Sequence, residues 1–422
     1  MYRIREYRNS ARLIYRKMDQ ASSASIGIWF NVGSRNEEPS INGISHFLEH
    51  LVFKGSKNFT GDEIKESIEG VGGSLNAFTS EENTCYYAKF LSKHLKKVSR
   101  VLSDMVLWPL LKTADIAKER TVIIEEIKMY KDLPQFQVQE LFDAMLWPHH
   151  PLGRNIAGTI ETVSGITRKQ IQDYHRNWYG SSSIVVSCVG NLDEKLLEGF
   201  VENIFGALKP APAGSFLPFV PLNQGPQIKV LSKDFEQTHV NLGFPALPRF
   251  HKDRFILGLL HIILGGNMSS RLFNEVREKK GLAYEIGTHA KKLHDTGVFF
   301  VHAGIDNKNL TQASEVIFKE LDKIKNTKVS FGELRRAKDF FISQSIMALD
   351  DSLEHMLWVG ESLSNLGYIQ TKEEMEKEIQ KVTAADILRL SREIIDWKKL
   401  YFAAVGPQKS GLEEKIKGLM PV

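Results

Sequence analysis

The chain has 422 residues, of which 42% are hydrophobic and 25% charged, with 55 basic against 51 acidic side chains. That length favours two to four domains and the composition is that of a globular protein. The near-balanced charge excludes any electrostatic case for nucleic acid or an anionic membrane as a partner.

The N-terminal 18 residues are basic but contain no apolar core segment, so they do not read as a secretory signal. No run of about 18 apolar residues occurs anywhere, so no membrane span is expected. A cytoplasmic location is expected. It agrees with only two cysteines, Cys85 and Cys188, each in an apolar, β-rich string. Two such residues do not build a disulfide scaffold, and they read as buried thiols.

Leu13, Ile14 and Tyr15 mark the centre of a first strand, and residues 25–31 form a second. The next string, Gly43-Ile44-Ser45-His46-Phe47-Leu48-Glu49-His50, carries chemistry. On a helix, residues four apart stack on one face, so His46 and His50 can aim at one metal ion. Glu49 then sits beside that point without having to be a ligand. The order is the reverse of the His-Glu-x-x-His zinc helix. The plain alternative, two half-buried histidines with a charged neighbour, is weakened by their spacing and by the glutamate between them.

Asn76, Ala77, Phe78 and Thr79 read as an edge strand. A peptide could add to it as a further strand, which favours extended, unstructured substrates. The bland alternative is an ordinary edge guarded by Glu81 and Glu82. A strand over 86–90 and an amphipathic helix over 95–106 follow. A long helix around 116–130 carries Glu119 and Glu126 on one stripe, seven residues apart, with Glu125 turned about 100° away. From periodicity alone Glu126 is either a third metal ligand or a solvated acid.

Residues 210–226 hold five prolines in 17 positions and form a linker near the midpoint. The two sides repeat. A helix capped by Thr167, a strand over 184–190 ending Val189-Gly190 and a closing helix from Leu192 recur. Their counterparts are Thr383, residues 400–406 and Leu412. The helix over 95–106 recurs at 310–321, the strand over 86–90 at 298–303, and the strand over 25–31 at 237–244. The expected fold class is α+β, with two homologous units, each a mostly antiparallel sheet with helices packed on one face. Residues 1–209 form the metal-binding unit and residues 227–422 a second unit without metal. The segment 257–261, which aligns with the histidine helix, lacks the glutamate and the first histidine.

These motifs resemble the pitrilysin and mitochondrial-processing-peptidase family. Besides His46 to His50, the resemblance includes Gly33 to Glu37, Leu75 to Ser80, Glu119 to Asp132, His150 to Arg154, and Gly265 through Tyr284. It implies a zinc-dependent endopeptidase. The ligand glutamate of the family lies some 75 residues beyond the inverted motif, which is Glu126 here. Glu119 matches an accessory acid that steers a ligand histidine or the water. Arg277 and Tyr284, by themselves ordinary surface residues, match a pair that donates hydrogen bonds to the substrate carbonyl. The expected metal complement is one Zn2+ per chain, held by His46, His50 and Glu126, with Glu49 taking the proton of the activated water. Family chambers contain four such units, so a homodimer enclosing a chamber is expected, with peptides as substrates. The competing reading is a non-catalytic peptide-binding or structural subunit, in which the zinc residues need not survive. Processing of basic peptides would need an acidic lining, for which Glu37, Glu38, Glu81 and Glu82 are available.

Overall fold

A computed structural model describes residues 2–211, 214–221, 225–408 and 411–421. Five positions of the 210–226 linker therefore lie outside the described residues, as do the terminal residues 1 and 422 and positions 409–410 assigned to the two units.

The strands are β1 (Arg3–Glu6), β2 (Arg12–Lys17), β3 (Ser23–Phe30), β4 (Ser74–Thr79), β5 (Thr84–Leu91), β6 (Ile184–Gly190), β7 (Gln227–Ser232), β8 (Gln237–Pro245), β9 (Ala283–Lys292), β10 (Gly297–Asp306) and β11 (Tyr401–Gly406). The helices that bear on function are α1 (Ile44–Val52), α2 (Leu95–Leu107), α3 (Thr113–Lys131), α4 (Pro134–Leu146), α5 (Arg254–Leu264), α6 (Leu310–Asn326), α7 (Phe331–Ala348) and α8 (Ser352–Leu366).

One sheet runs β1-β2-β6-β3-β5-β4 and the other β7-β11-β8-β10-β9. Without β1 the two orders are equivalent strand for strand. Each has one parallel pair, β2 with β6 and β7 with β11, and is otherwise antiparallel. The α+β class and the internal repeat are thus both present in the backbone. β3, the strand expected over 25–31, is a central strand between β6 and β5. β4 is an outer strand with β5 as its only partner strand among the described residues.

In each unit the main core lies between the sheet and the larger group of helices. In the first, Ile26, Ile28 and Phe30 of β3 meet Phe47, Leu48 and Leu51 of α1 and Val98, Leu102 and Met105 of α2. In the second, Val240 and Leu242 of β8 meet Leu257 and Leu260 of α5 and Ile317 and Leu321 of α6. The opposite face of each sheet is covered as well, by one helix. α8 sets Met356, Val359 and Leu363 against Ile14, Trp29, Cys85 and Val185 of the first sheet. α4 sets Val138, Phe142 and Met145 against Val298, Phe300 and Ala403 of the second.

This second cover changes the domain boundaries. One compact unit comprises residues 1–128, 154–217 and 347–370, and the other 129–153, 218–346 and 371–422. The contiguous division into 1–209 and 227–422 is therefore replaced by two discontinuous units. The segments change over at the same place in each repeat, near the end of α3 and near the end of α7. The physical reason is the apolar surface on both sides of each sheet. β3 is buried along nearly its whole length, so both its faces require apolar partners. Both cysteines are buried and unpaired, as read from the sequence. No helix among the described residues is long and apolar enough to cross a membrane.

Candidate metal centre

α1 starts at Gly43, whose φ of +96° is left-handed and whose absent side chain admits the carbonyl of Ala157. No side chain of the helix caps it. Instead the buried carboxylate of Glu37 accepts hydrogen bonds from the N–H groups of Gly43 (2.7 Å) and Ser45 (2.9 Å) and from Asn42 Nδ2 (2.9 Å). The two backbone donors are among those that a helix leaves unsatisfied at its start. Burial raises the Glu37 carboxyl to about 7, while those hydrogen bonds pull it back down.

Further along α1 the imidazoles of His46 and His50 lie 4.7 Å apart, centre to centre. Glu126 reaches them from α3. Its Oε2 is 3.8 Å from His46 Nε2 and 3.6 Å from His50 Nε2. One donor atom from each of His46, His50 and Glu126 falls within 4.8 Å of the others, and this is the one such group among the described residues. Donors bound about 2.1 Å from a tetrahedral zinc lie roughly 3.4 Å apart, so only small adjustments bring these three onto one ion. Two imidazoles and a carboxylate are also the donor types of a catalytic zinc with an open position. Burial first, then neighbouring His50, lowers His46 to about 4, against the opposing pull of Glu126. A neutral ring keeps the lone pair that a metal needs. His46 Nδ1 is buried without a hydrogen-bond partner among the described residues. The residues fit zinc.

The surrounding groups orient these donors. Glu119, buried two helical turns before Glu126 on the same stripe, accepts from His50 Nδ1 at 3.3 Å through Oε2 and from Lys54 Nζ at 2.8 Å through Oε1. With its proton on Nδ1, His50 presents Nε2 toward Glu126. Glu125 is turned outward and pairs with Lys128 at 2.8 Å. Glu49 accepts a hydrogen bond from Thr79 Oγ1 at 2.5 Å. Burial raises the Glu49 carboxyl, and the Thr79 bond opposes that rise.

β4 thus runs beside α1. Within it, Thr79 is turned to Glu49 and Phe78 packs on Trp29 and Tyr87. The N–H of Ala77 donates to the side chain of Asn76 at 2.8 Å, so this donor is not used in the ladder with β5. In the second unit Arg277 lies over the rings of Phe273 (4.8 Å) and Tyr284 (5.5 Å), and Tyr284 is 75% exposed. The pair singled out in the sequence is therefore together, Arg277 from the helical segment Phe273–Glu278 and Tyr284 from β9.

Three participants take roles beyond those the sequence suggests. Lys54 follows His50 by four residues, just past the end of α1, so its nearness to the histidines is visible as spacing. Thr79, expected among the substrate-binding residues, bonds to Glu49 because β4 approaches α1. Glu37, available on sequence grounds for a chamber lining, is buried under α1 instead. Glu82 is likewise engaged, with Arg35 Nη1 at 2.6 Å.

Residues 12–160 match the description "Insulinase (Peptidase family M16)" and residues 165–341 match "Peptidase M16 inactive domain". An uncharacterized zinc protease of Mycobacterium leprae is 36% identical, covering 94% of this chain and 90% of its own. Proteins bearing the same description from Streptomyces coelicolor and Bacillus subtilis are each 34% identical. They cover 94% and 92% of this chain, and 88% and 94% of their own. Among solved structures, a protease from Helicobacter pylori superposes with a TM-score of 0.90 at 24% identity, covering 96% of this chain and 99% of its own. That likeness speaks for the fold alone. With two family descriptions and near-full-length relatives in agreement, the chain belongs to the insulinase family, peptidase family M16, and its relatives are zinc proteases.

Proposed function

We propose that the protein is a zinc-dependent endopeptidase that hydrolyses extended, unstructured peptides. The convergence of His46, His50 and Glu126, with Glu49 beside them and outside the donor set, carries this reading. Zinc held there supplies a Lewis acid and makes a water acidic enough to lose its proton near neutral pH.

Glu49 accepts the proton of the attacking water and delivers it to the leaving amine nitrogen. Burial favours the protonated carboxyl and so assists the delivery, while Thr79 holds the side chain in place. Glu119, fixed by Lys54, keeps His50 in the tautomer that leaves Nε2 free. Arg277 and Tyr284 donate hydrogen bonds to the substrate carbonyl and to the negative charge that grows on its oxygen. The substrate backbone pairs with the open edge of β4 at Asn76, Ala77, Phe78 and Thr79, which recognises main chain rather than sequence.

Zinc content and cleavage of a mixed peptide library, measured for the wild type and Glu49→Gln, test the assignment. One zinc per chain is expected in both, with turnover lowered by about 10²- to 10⁴-fold in the variant. Zinc in both with equal cleavage removes Glu49 from the chemistry, and no zinc in either removes the site. The chain carries both the donor set and the Arg277/Tyr284 pair, so it lacks nothing that a second type of subunit would have to add. It is therefore expected to form a homodimer. Light scattering tests this, and a monodisperse monomer that cleaves peptides would overturn it.

A further inference from the structure

The second unit has a cleft of about 420 Å³ between the end of α5, the loop that follows it and α7. This volume is within the range of small-molecule sites. Ile262, Ile263 and Phe340 make one apolar wall, and Ser269, Ser270 and Arg336 make a polar one.

Two observations mark this cleft as built to receive a ligand. The first is Ser270, which is 2% exposed and has a hydroxyl without a hydrogen-bond partner among the described residues. Its backbone is held firmly, because its carbonyl accepts from Asn274 N (3.1 Å) and Nδ2 (3.0 Å). Just before it, Asn267 Oδ1 accepts from Ser269 N at 2.9 Å and Ser269 Oγ at 2.7 Å. An idle buried hydroxyl on a fixed loop loses water without compensation unless something binds it.

The second observation is charge. Two acids line the cleft, and both are engaged elsewhere. Glu333 takes a two-pronged pair from Arg271 at 2.7 and 2.8 Å, which also ties α7 to the loop. Asp339 lies 3.8 Å from Arg335. Arg336 lines the same space and has no carboxylate at ion-pair distance among the described residues. Glu333 experiences it only as a further positive charge. A guanidinium and a spare hydroxyl next to an apolar wall match a carboxylate joined to an apolar group.

We propose that this cleft binds an organic carboxylate, its oxygens on Arg336 and Ser270 and its apolar part on Ile262, Ile263 and Phe340. A hydrophobic C-terminal residue of a peptide and a short fatty acid share this chemistry. The inference is independent of the hydrolytic reading, since none of these residues belongs to the metal centre.

Calorimetric titration of the zinc-loaded protein with N-acetyl-leucine, N-acetyl-leucinamide and octanoate tests it. At least one acid is expected to saturate a single site, with the amide about tenfold weaker or worse than N-acetyl-leucine if that acid binds. Preference for N-acetyl-leucine assigns a peptide terminus, and preference for octanoate assigns a fatty acid. Arg336→Gln is expected to remove the acid binding and leave hydrolysis of a reporter peptide unchanged. Ser270→Ala is expected to weaken acid binding several-fold while raising the Tm of the free protein, because it deletes an unsatisfied group. Failure of both acids to bind, equal binding of N-acetyl-leucine and its amide, or acid binding that survives Arg336→Gln would overturn the proposal. The last result would relocate the carboxylate, for instance to the metal.

Discussion

Glu37 shows how a single side chain can set the position of the histidine-bearing helix α1 from outside it. Its carboxylate gathers donors from Asn42, Gly43 and Ser45, immediately before His46. Burial raises its pKa from 4.5 to about 7, so folding favours its protonated form. A carboxyl whose folded pKa is raised contributes stability below the unfolded value, and that contribution is lost as pH rises through the folded one. Compared with Glu37→Gln, whose amide does not titrate, the wild type is expected to lose stability as pH rises from about 4.5 through about 7. Paired thermal melts across that range measure the difference, and parallel Tm curves for the two proteins would contradict it. Glu49 is also raised by burial, but beside the candidate metal donors, where the proposed hydrolysis needs a proton to move. The same physical effect thus serves architecture in one residue and, in the proposed reaction, chemistry in the other.

At the scale of elements, β4 joins the sheet to the metal centre. Alternation along the strand turns Ala77 N–H away from β5, where it meets only the Asn76 side chain. A peptide pairing there would take over this donor. Ala77→Pro removes the donor while leaving the β4–β5 ladder intact, as is tolerated on an edge strand. It is expected to raise KM by about tenfold, the worth of roughly one backbone hydrogen bond, with zinc content unchanged. Unaltered kinetics would mean that substrates do not use this edge. On the other face of the same sheet, fit is set by small residues. A side chain at Gly27 would meet Met356 Sδ at 2.5 Å, and one at Gly360 would collide with the Trp29 indole. Trp29 Nε1 donates to Ser187 Oγ at 2.9 Å within the same contact, so the indole is buried with its polar atom satisfied.

At the scale of the whole molecule, the exchange of α4 and α8 makes each unit a product of both halves of the chain. α8 supplies Met356, Val359 and Leu363 to the back of the first sheet, and α4 supplies Val138 and Phe142 to the back of the second. A single proteolytic cut within 210–226 is therefore expected to leave the two fragments associated in native buffer and to separate them only in denaturant. Gel filtration of the nicked protein checks this. Fragments that part without denaturant would show that the exchanged helices contribute little. The linker marks a covalent midpoint, whereas the physical boundaries cross the chain at the ends of α3 and α7.

Local periodicity in the sequence determined much of this protein. The i, i+4 histidines, the seven-residue stripe of Glu119 and Glu126 and the repeated strand-and-helix order are all properties of a few neighbouring residues, and each appears at its expected place. Only the tertiary structure decided which helix covers which sheet, because an apolar stripe specifies that it must be buried but not against what. For the same reason it alone decided that Glu37 caps α1, that Thr79 holds Glu49 and that Lys54 steadies Glu119. Hydrogen bonds act over about 3 Å, and the approaches that make the first two possible are set by the packing of the core rather than by spacing along the chain.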